Sequence, residues 1–313
     1  DFRHYDRSDG LTGDRVYAVL EDHRGRIWMS ISQNGLCVFD SSGLRLFGRD
    51  SGYLNVKCRT LAEDTSGRIW AGTEGKGIAI FDTSGMRVLT TSDGLSSDFI
   101  QKIVPDPSGG MWVATAADGI AHVTFREGNA FSIKNYGEKD GLTERRIATI
   151  AVDKFGYLWF ATQSGKVGWL KNRVDLYDQN SGLAGTPVRC ITFDSSGQYV
   201  WIGTKGEGIY VADRYGEHIR FRPLQSPRSL SSKNIYLLQF DPAGHLWAGS
   251  ENGVDRISFE KSWLVAKSIE HFGKNEGFLG IETCQDAALC DHAGNLWFGT
   301  MNGLTRYSPS DRK

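Results

Sequence analysis

Short apolar stretches separated by Gly, Asp, Asn and Ser run the length of the chain, and one of them recurs seven times. It is an aliphatic residue, Trp, any residue, then small residues that usually end in Ser or Thr. Ile27-Trp28-Met29-Ser30 is the first copy, Ile69-Trp70-Ala71-Gly72-Thr73 the second and Leu296-Trp297-Phe298-Gly299-Thr300 the last. The other four centre on Trp112, Trp159, Trp201 and Trp247, and the Trp-to-Trp spacings are 42, 42, 47, 42, 46 and 50 residues. A period of this size is the mark of a repeat architecture.

Each unit carries further fixed points. An Asp stands six residues before the Trp in most copies: Asp22, Asp64, Asp106, Asp153, Asp241 and Asp291, with Asp194 seven before Trp201. A Gly follows it by two or three residues, so Asp-x-x-Gly reads as a turn between two strands, the Asp bonding its own backbone. After the Trp strand comes a second turn, such as Asn34-Gly35, Asp118-Gly119, Asn252-Gly253 or Asn302-Gly303. These dipeptides favour tight hairpins because they tolerate positive φ. An opening marker precedes the units: Asp9-Gly10-Leu11, Ser51-Gly52-Tyr53, Asp93-Gly94-Leu95, Asp140-Gly141-Leu142, Ser181-Gly182-Leu183 and Glu276-Gly277-Phe278. The sixth unit has Pro227-Arg228-Ser229-Leu230 instead.

Every unit thus reads as four short strands; in the first they are roughly Arg15–Glu21, Arg26–Ile31, Gly35–Phe39 and Leu44–Gly48. Four strands per repeat of this length predict an all-β, seven-bladed β-propeller of four-stranded antiparallel blades, a single domain over residues 1–313. A lone blade cannot bury both faces, so neighbours must stack, and the Trp is expected to fill the space between them. The seventh unit runs out after its third strand, at Gly303–Tyr307. The N-terminal stretch Phe2-Arg3-His4-Tyr5 resembles the outer strand Ile269-Glu270-His271-Phe272 of the preceding blade. The N-terminal strand should therefore complete the last blade and close the ring.

Composition narrows the function. Hydrophobic residues make up 40% and charged residues 23%, which fits a folded soluble domain. A net charge of −1 gives no overall field toward nucleic acid or membrane. No apolar run approaches a membrane helix and the first residues lack a signal-peptide core, so direct membrane insertion by this segment is not expected. The five Cys (Cys37, Cys58, Cys190, Cys284, Cys290) are odd in number and scattered, and read as small buried residues rather than a disulfide framework or zinc site. No catalytic motif is present and the seven His are scattered, three of them (His23, His245, His292) in or beside the turns, where exposure is expected. No catalytic residue, metal or cofactor is assigned.

The motifs resemble the two-component regulator propeller repeat. Asp291-His292-Ala293-Gly294-Asn295-Leu296-Trp297-Phe298-Gly299-Thr300-Met301-Asn302-Gly303-Leu304 follows that pattern almost throughout, and the resemblance extends over all seven units. It implies an extracytoplasmic or periplasmic sensor module of a bacterial signalling protein of the histidine kinase or hybrid kinase type. Its expected partners are a small-molecule or oligosaccharide ligand and the other domains of the same protein, with a homodimer as a further arrangement. Many members carry two propellers and an output domain, so this chain, with one ring, resembles a fragment or a shorter relative. Known ligands in the family are prominently glycan fragments.

The informative positions are those that vary within the repeat. Counted back from the repeated Asp, the sixth and third positions are mostly apolar and should pack: Val16 and Val19 in the first unit, Gln285 and Ala288 in the seventh. The fifth position shows Tyr17, Arg59, Gln101, Ala148, Arg189, Tyr236 and Asp286; the seventh shows Arg15, Lys57, Phe99, Arg146, Pro187, Asn234 and Cys284. These two positions should gather round the central opening on the face where the inner strands begin. Arg15, Tyr17, Lys57, Arg59, Gln101, Arg146, Arg189, Tyr236 and Asp286 are the candidate ligand residues. Arg beside aromatic rings suits a polar ring with carboxylate or sulfate groups, such as an anionic saccharide. The plainer reading makes them solvated strand ends paired with Asp14, Asp98, Glu144 or Glu282. Two other functions compete: a streptogramin-lyase-like enzyme, which would need a metal and a His/Glu constellation, and a protein-interaction scaffold.

Overall fold

The computed structural model describes residues 1–32, 35–47, 55–125, 130–216, 218–260 and 264–309. Asn34, Gly48 and the Ser51-Gly52-Tyr53 marker lie outside the described residues. Seven four-stranded antiparallel sheets follow one another along the chain. In the first blade the strands are Val16–Glu21, Ile27–Ile31, Leu36–Asp40 and Gly43–Phe47, within a residue of the expected bounds. The inner strands of the next six blades are Cys58–Glu63, Ile100–Pro105, Ile147–Val152, Val188–Phe193, Leu237–Phe240 and Thr283–Cys290. Each repeated Trp lies on the second strand of its blade. Among the described residues no helix is long and apolar enough to cross a membrane.

Among the described residues the core is divided into seven apolar clusters, one in each gap between blades. Trp70 of the second blade packs with Ile100, Ile103, Met111 and Val113 of the third. Trp159 packs with Val188, Ile191 and Ile202 of the fifth, and Trp297 with Val16, Ile27 and Met29 of the first. All seven repeated Trp are buried. Blades approach so closely that a Cβ on Gly72 would lie 2.6 Å from Ile100 Cγ2 of the next inner strand. The opening marker forms a single 3-10 turn ended by a left-handed Gly, as at Gly94 with φ 106°. The apolar residue after that Gly drops into a gap: Leu11, Leu95, Leu142, Leu183 and Phe278 are all buried. Leu230 serves the sixth unit in the same way, packing against the cluster between blades five and six.

The repeated Asp does more than shape its turn. Asp64 Oδ1 accepts backbone N–H bonds from Ser66 and Arg68 at 2.9 and 3.0 Å, as the turn reading requires. Its Oδ2 accepts the indole N–H of Trp70 at 2.8 Å and pairs with Arg68 at 2.7 Å. The same indole bond joins Trp28 to Asp22, Trp159 to Asp153, Trp247 to Asp241 and Trp297 to Asp291 at 2.7–3.0 Å. Burial alone would push the Asp22 carboxyl up, but donors from Trp28, Arg26 and Arg24 outweigh it and hold the group below its ordinary value. In the third blade Asp106 pairs with His122 at 2.9 Å instead, and Trp112 lies against that imidazole with ring centroids 4.1 Å apart.

The ring closes as the repeat predicts. Phe2–Tyr5 pairs antiparallel with Gly303–Tyr307, Phe2 opposite Tyr307 and Tyr5 opposite Leu304. Alternation along this strand sends the two rings to opposite faces. Phe2 meets Phe272, Phe278 and Tyr307 in the gap between blades six and seven, with centroids 5.1–5.6 Å apart. Tyr5 stacks on Trp297 at 6.0 Å in the gap between blades seven and one. On the rim, His292 and His23 are exposed as expected, yet both are held by a carboxylate of the next blade. His292 N–H donates to Glu21 and His23 N–H to Glu63, each at 2.8 Å. His245 is half-buried, because its Nδ1 bonds Asp241 at 2.8 Å.

This packing generates three stability predictions. Deleting residues 1–9 removes a strand that fills two gaps, and the melting temperature should fall by on the order of 10 °C in one cooperative step; an unchanged melt would refute closure by this strand. Asp64→Ala should cost about 2–4 kcal/mol in chemical denaturation, because it strands a buried indole N–H and a guanidinium. Asp64→Asn should cost clearly less, since an amide oxygen still accepts. Trp70→Ala should cost about 3–5 kcal/mol, and a loss under about 1 kcal/mol in either alanine variant would contradict the packing described.

Candidate functional site

The central opening is built by one irregularity repeated round the ring. In the first blade Val16 pairs with Ile31 and Ala18 with Ser30, which leaves Tyr17 as an extra residue. The same register shift leaves Arg59, Gln101, Ala148 and Arg189 unpaired in blades two to five. A bulge turns its side chain out of the pleat. The fifth position before the Asp varies because it is a bulge residue facing the channel rather than a packed one. Its neighbours Val16, Cys58, Ile100, Ile147, Val188 and Ile235 are buried between blades, as expected.

The seventh blade departs from this count. Its inner strand pairs Thr283 with Thr300 and Ala288 with Phe298, so four residues, Cys284 to Ala287, stand where the first blade has Tyr17 and Ala18. Thr283 therefore occupies the packed position and Glu282 the rim position, two residues earlier than a fixed count from Asp291 gives. The carbonyl of Glu282 accepts the Met301 N–H at 2.9 Å, as Lys57 does from Glu74 and Arg146 from Gln163. Gln285 does not pack. Its amide crosses the channel and donates to the Arg189 and Ala148 carbonyls at 2.9 and 3.4 Å. Asp286, left-handed at φ 56°, gives its N–H to the Tyr236 carbonyl and accepts the Thr149 hydroxyl at 2.5 Å. This crosspiece ties blade seven to blades four, five and six and divides the channel in two.

Above the crosspiece, on the face where the inner strands begin, lies a cavity of about 360 Å³. Of the nine candidate residues it gathers Tyr17, Lys57, Arg59, Arg189 and Tyr236, joined by Glu282 and Lys205. Lys57 Nζ sits 4.3 Å from the centre of the Tyr17 ring, and the Arg189 guanidinium 4.4 Å from that of Tyr236. Lys57 and Arg59 share Glu74, at 3.3 and 2.6 Å. Among the described residues no carboxylate lies within ion-pair distance of Arg189 or Lys205. Burial pushes the Tyr236 hydroxyl above its ordinary value, so the ring stays neutral. Arg15 and Arg146 stand outside the cavity on the exposed rim, Arg15 held by the Tyr17 side chain. Gln101 turns its amide to the Ala148 carbonyl at 3.1 Å. Asp286 faces the other half of the channel, because the two extra residues carry it past the crosspiece. Three of the four carboxylates first suggested as partners are engaged elsewhere, Asp14 with Arg7, Glu144 with Lys166 and Asp98 with Thr91, and the fourth, Glu282, lines the cavity itself.

Sequence counting missed Lys205 and named Glu282 only as an ion-pair partner, not as a residue of the site. None of the seven His lines the cavity. Among the described residues no three His, Cys, Asp or Glu side chains are grouped to hold a metal ion.

The family model described as two component regulator propeller matches residues 10–33, 94–117 and 182–206. No curated protein matches the chain by sequence. Among solved structures, the extracellular domain of a putative hybrid two component system from B. thetaiotaomicron aligns over 98% of this chain and 41% of its own, with a TM-score of 0.80 and 20% identity. The chain thus spans about two fifths of that domain's length. A catalytically inactive virginiamycin B lyase from Staphylococcus aureus aligns over 98% of both chains, with a TM-score of 0.71 and 14% identity. PorZ, a surface component of the type-IX secretion system of Porphyromonas gingivalis, aligns over 96% of this chain and 47% of its own, at 0.72 and 14%. At these identities the likeness is one of fold.

Cys284 lines the cavity floor beside Met301, and burial pushes its thiol up to about 12, as it does that of Cys58; Cys290 is pushed up to about 11. The thiolate is the reactive form. With a disulfide reagent at neutral pH, the native chain should therefore release well under one thiol equivalent in the time the unfolded chain releases all five. Fast stoichiometric reaction at Cys284 would overturn this account of the floor.

Proposed function

Because the chain carries two component regulator propeller repeats, we propose that it is a non-catalytic, ligand-sensing module of a bacterial signalling protein, working outside the cytoplasm, and that its upper cavity takes an anionic saccharide. One observation carries the reading. Four cations and two tyrosine rings converge on a single cavity, and two of those cations, Arg189 and Lys205, have no carboxylate partner among the described residues. Arg189 is half-buried and Lys205 stands exposed at the mouth, so a carboxylate or sulfate arriving between them gains charge-assisted bonds, with least desolvation cost to the protein at Arg189, where no counter-ion has to be displaced. The tyrosine rings offer flat apolar faces against which a sugar ring can lie. Glu282 on the same rim can accept hydrogen bonds from sugar hydroxyls. The volume lies at the low end of the range for small-molecule sites, about 300–1,000 Å³.

A second reading rests on the same face. Phe99 is 56% exposed and Leu279 and Ile281 are also exposed, all just before inner strands and hence around the same opening. Apolar side chains there suit a neighbouring domain of the same signalling protein that covers the cavity once it is filled. The lyase alternative finds less support, since no imidazole lines the cavity.

Replacing Arg59 and Arg189 together by Ala should weaken binding of an acidic oligosaccharide by about two orders of magnitude, in line with two charged hydrogen bonds. The melting temperature of the free protein should stay nearly constant. Affinity for the parent should drop as salt rises. Calorimetric titration against a panel of acidic and neutral oligosaccharides decides the matter: salt-insensitive binding, or equal affinity in the double variant, would move recognition away from this cavity.

A further inference from the structure

The lower half of the channel differs in kind from the upper. It encloses about 410 Å³ and opens on the face where the inner strands end. Most of its wall is aliphatic, with Val104, Ile150, Val152, Ile191 and Leu238 among its residues, and Thr192 and Gln239 add polar groups. At its inner end stand two opposite charges, Lys102 and Asp286, with Nζ 3.7 Å from Oδ2. Their side chains are only 24% and 18% exposed.

This pair is loose. The separation is too long for a hydrogen bond, and Oδ2 is already taken by the Thr149 hydroxyl. Among the described residues no hydrogen bond reaches Asp286 Oδ1, and none engages the Lys102 ammonium. Two charges at the bottom of an apolar funnel would be more stable in direct contact, or replaced by aliphatic groups that continue the wall. Neither has happened. The backbone at Asp286 is left-handed, its N–H bonds the Tyr236 carbonyl, and its side chain lines the lower half of the channel. Non-glycine residues in such conformations gather where geometry serves a ligand.

We propose that the lower half-channel is a second binding site, distinct from the upper cavity, for a small zwitterion with an apolar arm, of which a hydrophobic α-amino acid is the simplest case. Its ammonium reaches Asp286, its carboxylate reaches Lys102, and its side chain lies against the aliphatic walls. Both charges are required, because a singly charged ligand would satisfy one ion while cutting the other off from water. The apolar arm follows from the aliphatic residues that make up most of the wall. The crosspiece that supplies Asp286 below also supplies Gln285 and Cys284 to the upper cavity, so occupancy of one half bears on the shape of the other.

The test is calorimetric titration of the whole chain with L-leucine and L-phenylalanine. The controls are leucinamide, which lacks the carboxylate, 4-methylvalerate, which lacks the ammonium, and glycine, which lacks the arm. Leucine or phenylalanine should bind at submillimolar concentration, and each trimmed probe at least about tenfold more weakly. Asp286→Asn keeps a residue that tolerates the left-handed backbone, and Lys102→Met keeps the length of its stem; each should also weaken binding at least about tenfold. The Arg59/Arg189 double variant should bind leucine as the parent does, which separates this site from the upper one. No heat with either amino acid at millimolar concentration, equal binding of the singly charged probes, or full affinity in a folded Lys102→Met variant would each overturn the proposal.

Discussion

An indole ring brings one N–H into whatever space it fills, and in an interior closed to water that donor needs an acceptor. The blades of this ring are spaced by such rings, so placing that acceptor governs much else. An aspartate six residues earlier sits at the end of the preceding strand, where one oxygen caps the turn and the other meets the indole. The turn, the strand pairing and the filling of the gap are thereby fixed by one side chain. Aspartate suits the role because it accepts at two oxygens, and the arginine beside it in blades one and two offsets the burial of its charge. Where a histidine takes the second oxygen, as at Asp106, the tryptophan is held by ring contact instead.

Because that unit is local in sequence, the blade count, the strand bounds and the closing strand could be read from the spacing of Trp, Asp and Gly. The half-matching N-terminal stretch gave away its place because an outer strand has the same alternation wherever it sits. What the spacing hid was the seventh inner strand. Counting back from Asp291 assumes one bulge residue per blade, and here the strand carries two residues more. The signal was present: Gly277 lies 20 residues before Trp297, whereas Gly10, Gly94 and Gly141 lie 18 before theirs, while the Asp-to-Trp distance is unchanged. The surplus had to fall in the inner strand. Its consequence, a crosspiece with a left-handed aspartate, depends on hydrogen bonds to blades remote in sequence and has no local signature.

The candidate site was legible to the same degree. Positions that vary in an otherwise regular repeat were expected to face the opening, and five of the nine share one cavity. The bulge is the reason: it frees that residue from the packing that fixes its neighbours. Arg15 and Arg146, one step farther out, fall on the exposed rim, and Asp286 was displaced by the longer strand. Lys205 was missed because it comes from a second-strand turn, which no count along the inner strand would reach. One channel thus presents a charged, aromatic half and an aliphatic half with a single loose ion pair, built from the same seven strands.

The seam carries a mechanical meaning. Phe2 and Tyr307 stand opposite each other at the same end of an antiparallel pair, and the Asp1 backbone nitrogen donates to the Ser308 carbonyl at 2.9 Å. A pull applied to both ends of the ring therefore loads these bonds one after another, as a zipper opens, and not all at once in shear. Heat must disrupt the whole stacked circle, yet a modest tension along the chain can part it at this line. A ring strung between other parts of a protein would be sturdy as a receptor and weak as a tether.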